Sequence, residues 1–417
     1  MKNLLVISWA MPPLLLPQSI QVARMLKSLA EYGWEITVIC VDPQSIKMSQ
    51  YDPFLEKQYA KYYTTVPVPS NEEFLLYRIF WYIFPNFQQS PDEKQVWIPR
   101  VMDVIQELLV KKDFSAIISF AQPWSDHLIG LKAYQMSGLP WIAHFSDPWV
   151  DSPYYNFNQK QMTKVKKMEE SVIREADAII FTSSQTVRLV MSKYPPDWGE
   201  KTFVIPHGYD SDTDFEVRHD IEQIAKSRLK LLHIGSFYPN MRTPEGLLRG
   251  LHLLDENQRN QIEVSLIGPH AERYSSLVKQ LKLDDTVILH GPVSYEMSAR
   301  LTAEADVLLV IDAPSDDESV FLPSKIVDYL AFRKPILGLT PLKGAVAELL
   351  ERLECPFVSP TDSKSIACAI ADLFQKWKNG NLYVSENFEK IACEYDIRQT
   401  TKMMDKILSD LVEKRSK

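Results

Sequence analysis

The feature that most constrains this chain is a strand–helix alternation that runs, stops and begins again. Nearly continuous apolar runs of strand length recur along the first half: LLVISW (Leu4–Trp9), EITVICV (Glu35–Val41), SAIISF (Ser115–Phe120), LPWIAHFS (Leu139–Ser146), ADAIIFTS (Ala176–Ser183) and TFVIPHG (Thr202–Gly208). Strands without an alternating polar face belong in a parallel sheet covered by helices on both sides. Between the first two runs, SIQVARMLKSLAEYG carries apolar residues at helical spacing and stops at Gly33. After the acidic, turn-rich stretch YDSDTDFEVRHD the alternation restarts with LKLLHIGS (Leu229–Ser236), IEVSLIGP (Ile262–Pro269), TVILHG (Thr286–Gly291), ADVLLVID (Ala305–Asp312) and KPILGL (Lys334–Leu339). The pattern predicts two doubly wound parallel-sheet domains with a boundary near residues 208 to 220.

A chain of 417 residues exceeds one ordinary core, which agrees with two domains. A formal net charge of −8 argues against bulk binding to nucleic acid, so any basic site is local. Cys40, Cys355, Cys368 and Cys393 lie far apart, with neither metal-ligand spacing nor the density of a disulfide scaffold, and read as reduced thiols of a cytoplasmic protein. The apolar start MKNLLVISWAMPPLLLP resembles a secretory signal only superficially, because Pro12 and Pro13 end a short strand there. No uninterrupted apolar run reaches the roughly 18 residues of a membrane-spanning helix.

Between ADVLLVID and KPILGL lies SVFLPSKIVDYLAF, which must cross from one parallel strand to the next as a helix. Pro323 suits its first turn, so its free N–H groups and positive dipole end face the loop where the strands finish, a setting that favours a bound diphosphate. Lys325 adds a formal charge beside Ser324, and Asp328 follows at i+3, able to accept hydrogen bonds from vicinal ribose hydroxyls. An ordinary amphipathic helix with a solvated Lys and Asp is the alternative for the segment in isolation.

Two inserts interrupt the first domain. Residues 43–100 are dense in aromatics, and Asn71–Phe87 is too apolar for a plain surface helix; it either packs on its own sheet or meets lipid or a lipid-linked substrate. The stretch KQMTKVKKMEE (Lys160–Glu170) is either a solvated helical face or a membrane-surface contact.

Taken in order and spacing, several fragments make the chain resemble the retaining glycosyltransferases of family 4, a match spanning nearly the whole sequence. In the first half they are Pro12-Pro13, Arg24 in QVARMLKSLAEYGWEITVI, HFSDPW (His144–Trp149), EADAIIFTSSQT and VIPHGYD (Val204–Asp210). In the second they are LLHIGSFY, LIGP, HGPVSYEMSARLTAEADVLL and LPSKIVDYLAFRKPIL. The resemblance implies the GT-B fold: two Rossmann-like domains, 1–210 for the acceptor and 211–392 for the nucleotide sugar, facing a central cleft, with a last helix in 393–417 crossing back onto the first. It implies a UDP- or GDP-linked sugar donor, a saccharide or lipid-linked acceptor, and no metal or other cofactor. Gly235 and Ser236 let backbone amides approach a phosphate, Arg242 forks onto the diphosphate with Lys325 as the second charge, and Gly268 and Gly291 line the nucleoside, although turn duty also accounts for isolated glycines after strands. The family's first acidic residue falls at Val320, and its paired glycines are replaced by Leu14, Leu15 and Leu16, which predicts a bulkier, more apolar loop. Gln18 and Ser19 remain as polar contacts.

Glycosyl transfer requires a neutralised leaving diphosphate, a donor carbon bearing positive charge and a held acceptor hydroxyl. Arg242 and Lys325 serve the first need; Asp147 is the leading candidate for orienting the acceptor, with His144 next, while a turn or cap before Pro148 is the plainer role for Asp147. His127 reads as structural more readily than catalytic, and Asp210, Asp212 and Asp214 lack the Gly and distal Glu of a calcium loop, so no metal is expected. The expected role is assembly of surface polysaccharide or glycolipid in the cytoplasm, in contact with the inner face of the membrane. A GT-B sugar-nucleotide epimerase or hydrolase, or a non-catalytic nucleotide-binding protein, are the competing classes.

Overall fold

The computed structural model describes residues 2–47, 51–70, 91–153, 155, 157–214, 228–239 and 241–416. The aromatic segment 71–87 singled out above lies outside the described residues. The chain divides into two compact units, Met1–His207 with Ile397–Lys417, and Gly208–Asp396.

In the first unit, β1 (Lys2–Ile7), β2 (Trp34–Val41), β3 (Thr64–Val68), β4 (Ala116–Ala121), β5 (Trp141–Phe145), β6 (Ala178–Phe181) and β7 (Thr202–Val204) make one parallel sheet in the order β3-β2-β1-β4-β5-β6-β7. The central strands are buried on both faces, as their unbroken apolar runs require; Leu4 to Ile7 and Ala116 to Ile118 are inaccessible to solvent. Strand β3 corrects the reading of residues 43–100 as a plain insert. Thr64–Val68 supplies the sheet edge, and its Pro67, opposite Cys40, hides the strand from pattern reading while remaining tolerable where no further strand needs its N–H.

Helix α1 (Pro17–Glu31) begins with proline at its first turn. Helix α2 (Ser125–Ser137) follows β4, and α3 (Gln159–Glu175) opens with a capping box in which Asn158 and Gln161 satisfy each other's backbone N–H groups. Val165, Glu169, Val172 and Ile173 form the buried stripe of α3, while Lys160, Lys164, Lys166 and Lys167 face outward, the pattern of an ordinary amphipathic helix.

In the second unit, β8 (Leu229–Ile234), β9 (Ile262–Ile267), β10 (Val287–His290), β11 (Val307–Ile311), β12 (Ile336–Leu339) and β13 (Phe357–Val358) form a parallel sheet ordered β10-β9-β8-β11-β12-β13. Helix α4 (Ser324–Ala331) crosses from β11 to β12; Pro323 stands one residue before it, with extended backbone, rather than inside its first turn. The chain enters and leaves this unit side by side. Tyr209 N–H donates to Tyr395 O at 3.0 Å, Ser211 Oγ to Asp396 Oδ2 at 2.8 Å, and Arg333 Nη2 to Tyr209 Oη at 2.9 Å.

Helix α5 (Ile397–Ser416) belongs to the first unit, where Met404, Ile407 and Leu408 sink into the interior at helical spacing. Its polar neighbours anchor it to the start of the chain: Trp34 Nε1 donates to Asp405 Oδ1 at 2.8 Å and Lys2 Nζ to Ser409 Oγ at 2.9 Å.

Candidate active site

Strand order reverses between β8 and β11, so the loops leaving these two strands diverge and open a crevice at their carboxyl ends, the place where such sheets bind ligands. Gly235, Ser236 and Arg242 lie in the loop after β8, and Ser324, Lys325 and Asp328 lie on α4, reached from β11. Gly268, after β9, has φ of 138°, and a Cβ placed there would come within 2.2 Å of Gly235 O. Glycine at 268 is therefore what lets these two turns touch. Gly291 follows the edge strand β10, and a Cβ on it would meet nothing nearer than Glu272 Oε1 at 3.9 Å. The packing gives no reason for glycine there.

Three contacts shape the charged groups. The backbones of Tyr238 and Arg242 pair with each other, Tyr238 N–H donating to Arg242 O at 2.9 Å and Arg242 N–H to Tyr238 O at 3.0 Å. The Arg242 guanidinium lies 5.8 Å from the Tyr238 ring centre, and its Nη2 is 3.3 Å from Asp312 Oδ1. Lys325 Nζ is 3.6 Å from Asp328 Oδ2 on the same helical face. Helix α4 is fixed to β8 by Tyr329, whose buried hydroxyl accepts from Ile234 N–H at 3.1 Å. His233 stands near the end of β8, two residues before Gly235. Its buried ring is held near pKa 4, first by loss of solvent and further by the positive charges of Arg242 and Lys325, against the opposing pull of its Nδ1 contact with Leu309 O at 3.0 Å.

In the first unit the reversal falls between β1 and β4. Asp147, after β5, accepts from Gln122 Nε2 at 3.2 Å, and Gln122 Oε1 in turn accepts from the Tyr155 hydroxyl at 2.9 Å. The loop carrying Asp147 is anchored from below by Glu169 of α3, a buried carboxylate that accepts from Val150 N–H at 2.8 Å and from Lys193 Nζ and Tyr194 Oη at 2.6 Å each. His144 sits inside β5, 2 % exposed, its ring 4.9 Å from Phe120 and 6.3 Å from His207. Burial, then the neighbouring His207, lowers its pKa to about 3, so the ring is neutral at physiological pH. His127 is buried in α2 with Nδ1 2.8 Å from Ser119 Oγ, a structural position, and burial pushes its pKa well down.

Sequence reasoning missed several of these groups. Asp126 Oδ2 accepts from Trp9 N–H at 2.7 Å and Asp92 accepts from Ser125 N–H and Oγ at 2.9 and 2.7 Å, so buried carboxyls hold the loops after β1 and β4. Gln18, by contrast, is named from the sequence as a polar contact at the start of α1; its Nε2 donates to Phe120 O at 3.1 Å. In the apolar loop before it, Leu14 is fully buried and bridges to Tyr51, so it serves the core. The acidic run Asp210–Asp214 is also local, with Asp210 Oδ1 accepting from Asp212 N–H at 3.2 Å.

Two Rossmann-like parallel sheets, each with its polar groups at the carboxyl ends of the strands, define a GT-B protein. The first half matches the family model for Glycosyltransferase Family 4 over residues 18–213, and the second matches that for Glycosyl transferases group 1 over residues 228–376. The chain belongs to this glycosyltransferase family and is a transferase of GT-B type. Among solved structures, sucrose-phosphate synthase (tll1590) from Thermosynechococcus elongatus is similar at 17% identity and TM-score 0.70, with 99% of each chain covered. Anabaena Alr3699/HepE in complex with UDP and glucose aligns at 16% identity and TM-score 0.69, over 98% of this chain and 100% of the other. WaaG, a glycosyltransferase involved in lipopolysaccharide biosynthesis, aligns at 14% identity and TM-score 0.65, over 97% and 99%. These likenesses establish the fold. No curated protein sequence matches the chain. Among the described residues, no helix is long and apolar enough to cross a membrane.

Proposed function

We propose that this enzyme transfers a sugar, with retention of anomeric configuration, from a UDP- or GDP-linked donor to a saccharide or lipid-linked acceptor. The observation that carries the reading is that Arg242, in the loop after β8, and Lys325, on the helix reached from β11, lie on the two connections that diverge at the strand-order reversal, beside the touching glycine turns. Two cations and the free N–H groups at the start of α4 suit a pyrophosphate, which leaves as the glycosidic bond breaks. Asp328 takes the ribose, Ser324 and the Gly235–Ser236 backbone take phosphate oxygens, and Gly268 and Gly291 line the nucleoside. The departing phosphate accepts the acceptor's proton on the same face, so neither a protein nucleophile nor a metal is part of the scheme. Asp147, braced by Gln122, orients the acceptor hydroxyl, and His144, on the strand that leads into the same loop, is the second candidate for that role. The relatives crystallised with UDP and with UDP-glucose support the donor class.

The proposed setting is surface polysaccharide or glycolipid assembly in the cytoplasm, at the inner face of the membrane, where the outward lysines of α3 meet anionic lipid. A thermal-shift panel of UDP, GDP and their sugars, followed by transfer assays on the stabilising donors, tests the reading. Stabilisation by one base series is expected; no response to any nucleoside diphosphate would sink it.

A further inference from the structure

We propose that Asp312 is a positioning residue that holds the Arg242 guanidinium at the diphosphate site, an inference that rests on the donor reading above. Asp312 stands where β11 ends, beside the strand-order reversal, with a side chain 3 % exposed. Its backbone already does the structural task of that position, since its N–H donates to Leu339 O at 2.8 Å and extends the β11–β12 pairing. The carboxylate does something else. Oδ1 accepts from Ala313 N–H at 2.8 Å, which fixes the rotamer, and faces Arg242 Nη2 at 3.3 Å, while Oδ2 is buried with no hydrogen-bond partner among the described residues.

As a device for stability this arrangement is poor, because a buried ion pair with an unsatisfied oxygen gives little net gain over apolar packing. As a device for aiming a guanidinium it is effective. Among the described residues, the Arg242 Nε is buried without a partner, and the Tyr238 ring and Asp312 are the contacts that define where its fork points. Holding that fork before the ligand arrives removes the ordering cost of a long side chain from binding. The loop's one arginine makes its direction matter more than it would in a loop carrying two cations.

Calorimetry with UDP and GDP, and with uridine and guanosine as phosphate-free probes, tests this on wild type, Asp312→Asn, Asp312→Ala, Arg242→Ala and the Asp312→Ala/Arg242→Ala double variant. Asp312→Ala should weaken diphosphate binding about tenfold, raise the donor KM more than it lowers kcat, and leave nucleoside binding unchanged. Asp312→Asn, which retains an acceptor oxygen, should recover part of the loss and serves in place of the alanine variant should that fail to fold. In the Arg242→Ala background the Asp312 substitution should have no further effect. Wild-type or tighter diphosphate affinity in both Asp312 variants, or an undiminished loss without Arg242, would overturn the assignment while the donor reading stands. Failure of the wild type to bind either nucleoside diphosphate would remove both.

Discussion

The two switch-point regions of this chain solve opposite electrostatic problems. In the second unit the reversal between β8 and β11 gathers formal charge: Arg242 against Asp312, Lys325 against Asp328, and beside them His233, kept neutral chiefly by burial. In the first unit the reversal between β1 and β4 is lined by groups from which charge has been removed or hidden. His144 and His127 are buried and neutral, Asp126 is driven well above the usual carboxylate range by burial, and Asp147 is braced by an amide. The same sheet topology thus yields one end rich in formal charge and another in which charge is buried or neutralised. Topology supplies the place, and side-chain burial supplies the chemistry.

The sharpest way to break this contrast is Asp147→Ala, which should lower transfer by on the order of a hundredfold to a thousandfold while UDP or GDP affinity by calorimetry stays within twofold. A matching loss of nucleotide affinity would erase the division between the units. Lys325→Ala is the reciprocal test. It should weaken nucleoside diphosphate binding about tenfold to a hundredfold, whereas His144→Ala should leave that affinity unchanged; equal effects would show that charge is not what separates the two regions.

Acid sensitivity sharpens the comparison from another side. His144 and His233 have folded pKa values near 3 and 4, below an unfolded value of about 6.5, so the unfolded chain binds their protons first as pH falls. Their stabilising contribution is complete above about pH 6.5 and is lost progressively on acidification, at about 1.4 kcal/mol per pH unit for each histidine until its folded pKa is reached. Denaturant titrations between pH 7 and pH 5 should show this slope, shallower by one proton in His233→Gln; an unchanged slope would mean that His233 is not buried neutral. The smallest effect belongs to Gly291→Ala, expected to change stability by less than about 0.5 kcal/mol. Gly268→Ala, by contrast, should cost about 3 kcal/mol, because its Cβ would meet Gly235 O at 2.2 Å. Similar melting points for the two variants would contradict the touching-turn geometry.

Much of this organisation is visible in the residues in order. Two runs of parallel strands, the break after residue 208, the helix carrying Lys325 and Asp328 at i+3, and the glycines after β8 and β9 all follow from periodicity and turn chemistry within short windows. Strand β3 escapes because Pro67 interrupts its pattern, and β13 because Phe357–Val358 is only two residues long. The groups that brace the site escape for a different reason. Asp312 meets Arg242 across 70 positions, Tyr329 meets Ile234 across 95, and Glu169 reaches Val150 across a loop. Nothing local to any of these residues distinguishes it from a surface carboxylate or a core aromatic.

Sequence alone settled the central strands, the helices between them, and that the alternation is laid down twice, since these depend on neighbours within a few residues along the chain. Only tertiary structure decided which side chains share a charge environment: that Leu14 fills the core, that His144 is neutral, and that Arg242 is clasped by a carboxylate. The physical reason is that desolvation and Coulomb pairing act through space over a few ångströms, and chain order does not encode those distances until the sheets have formed.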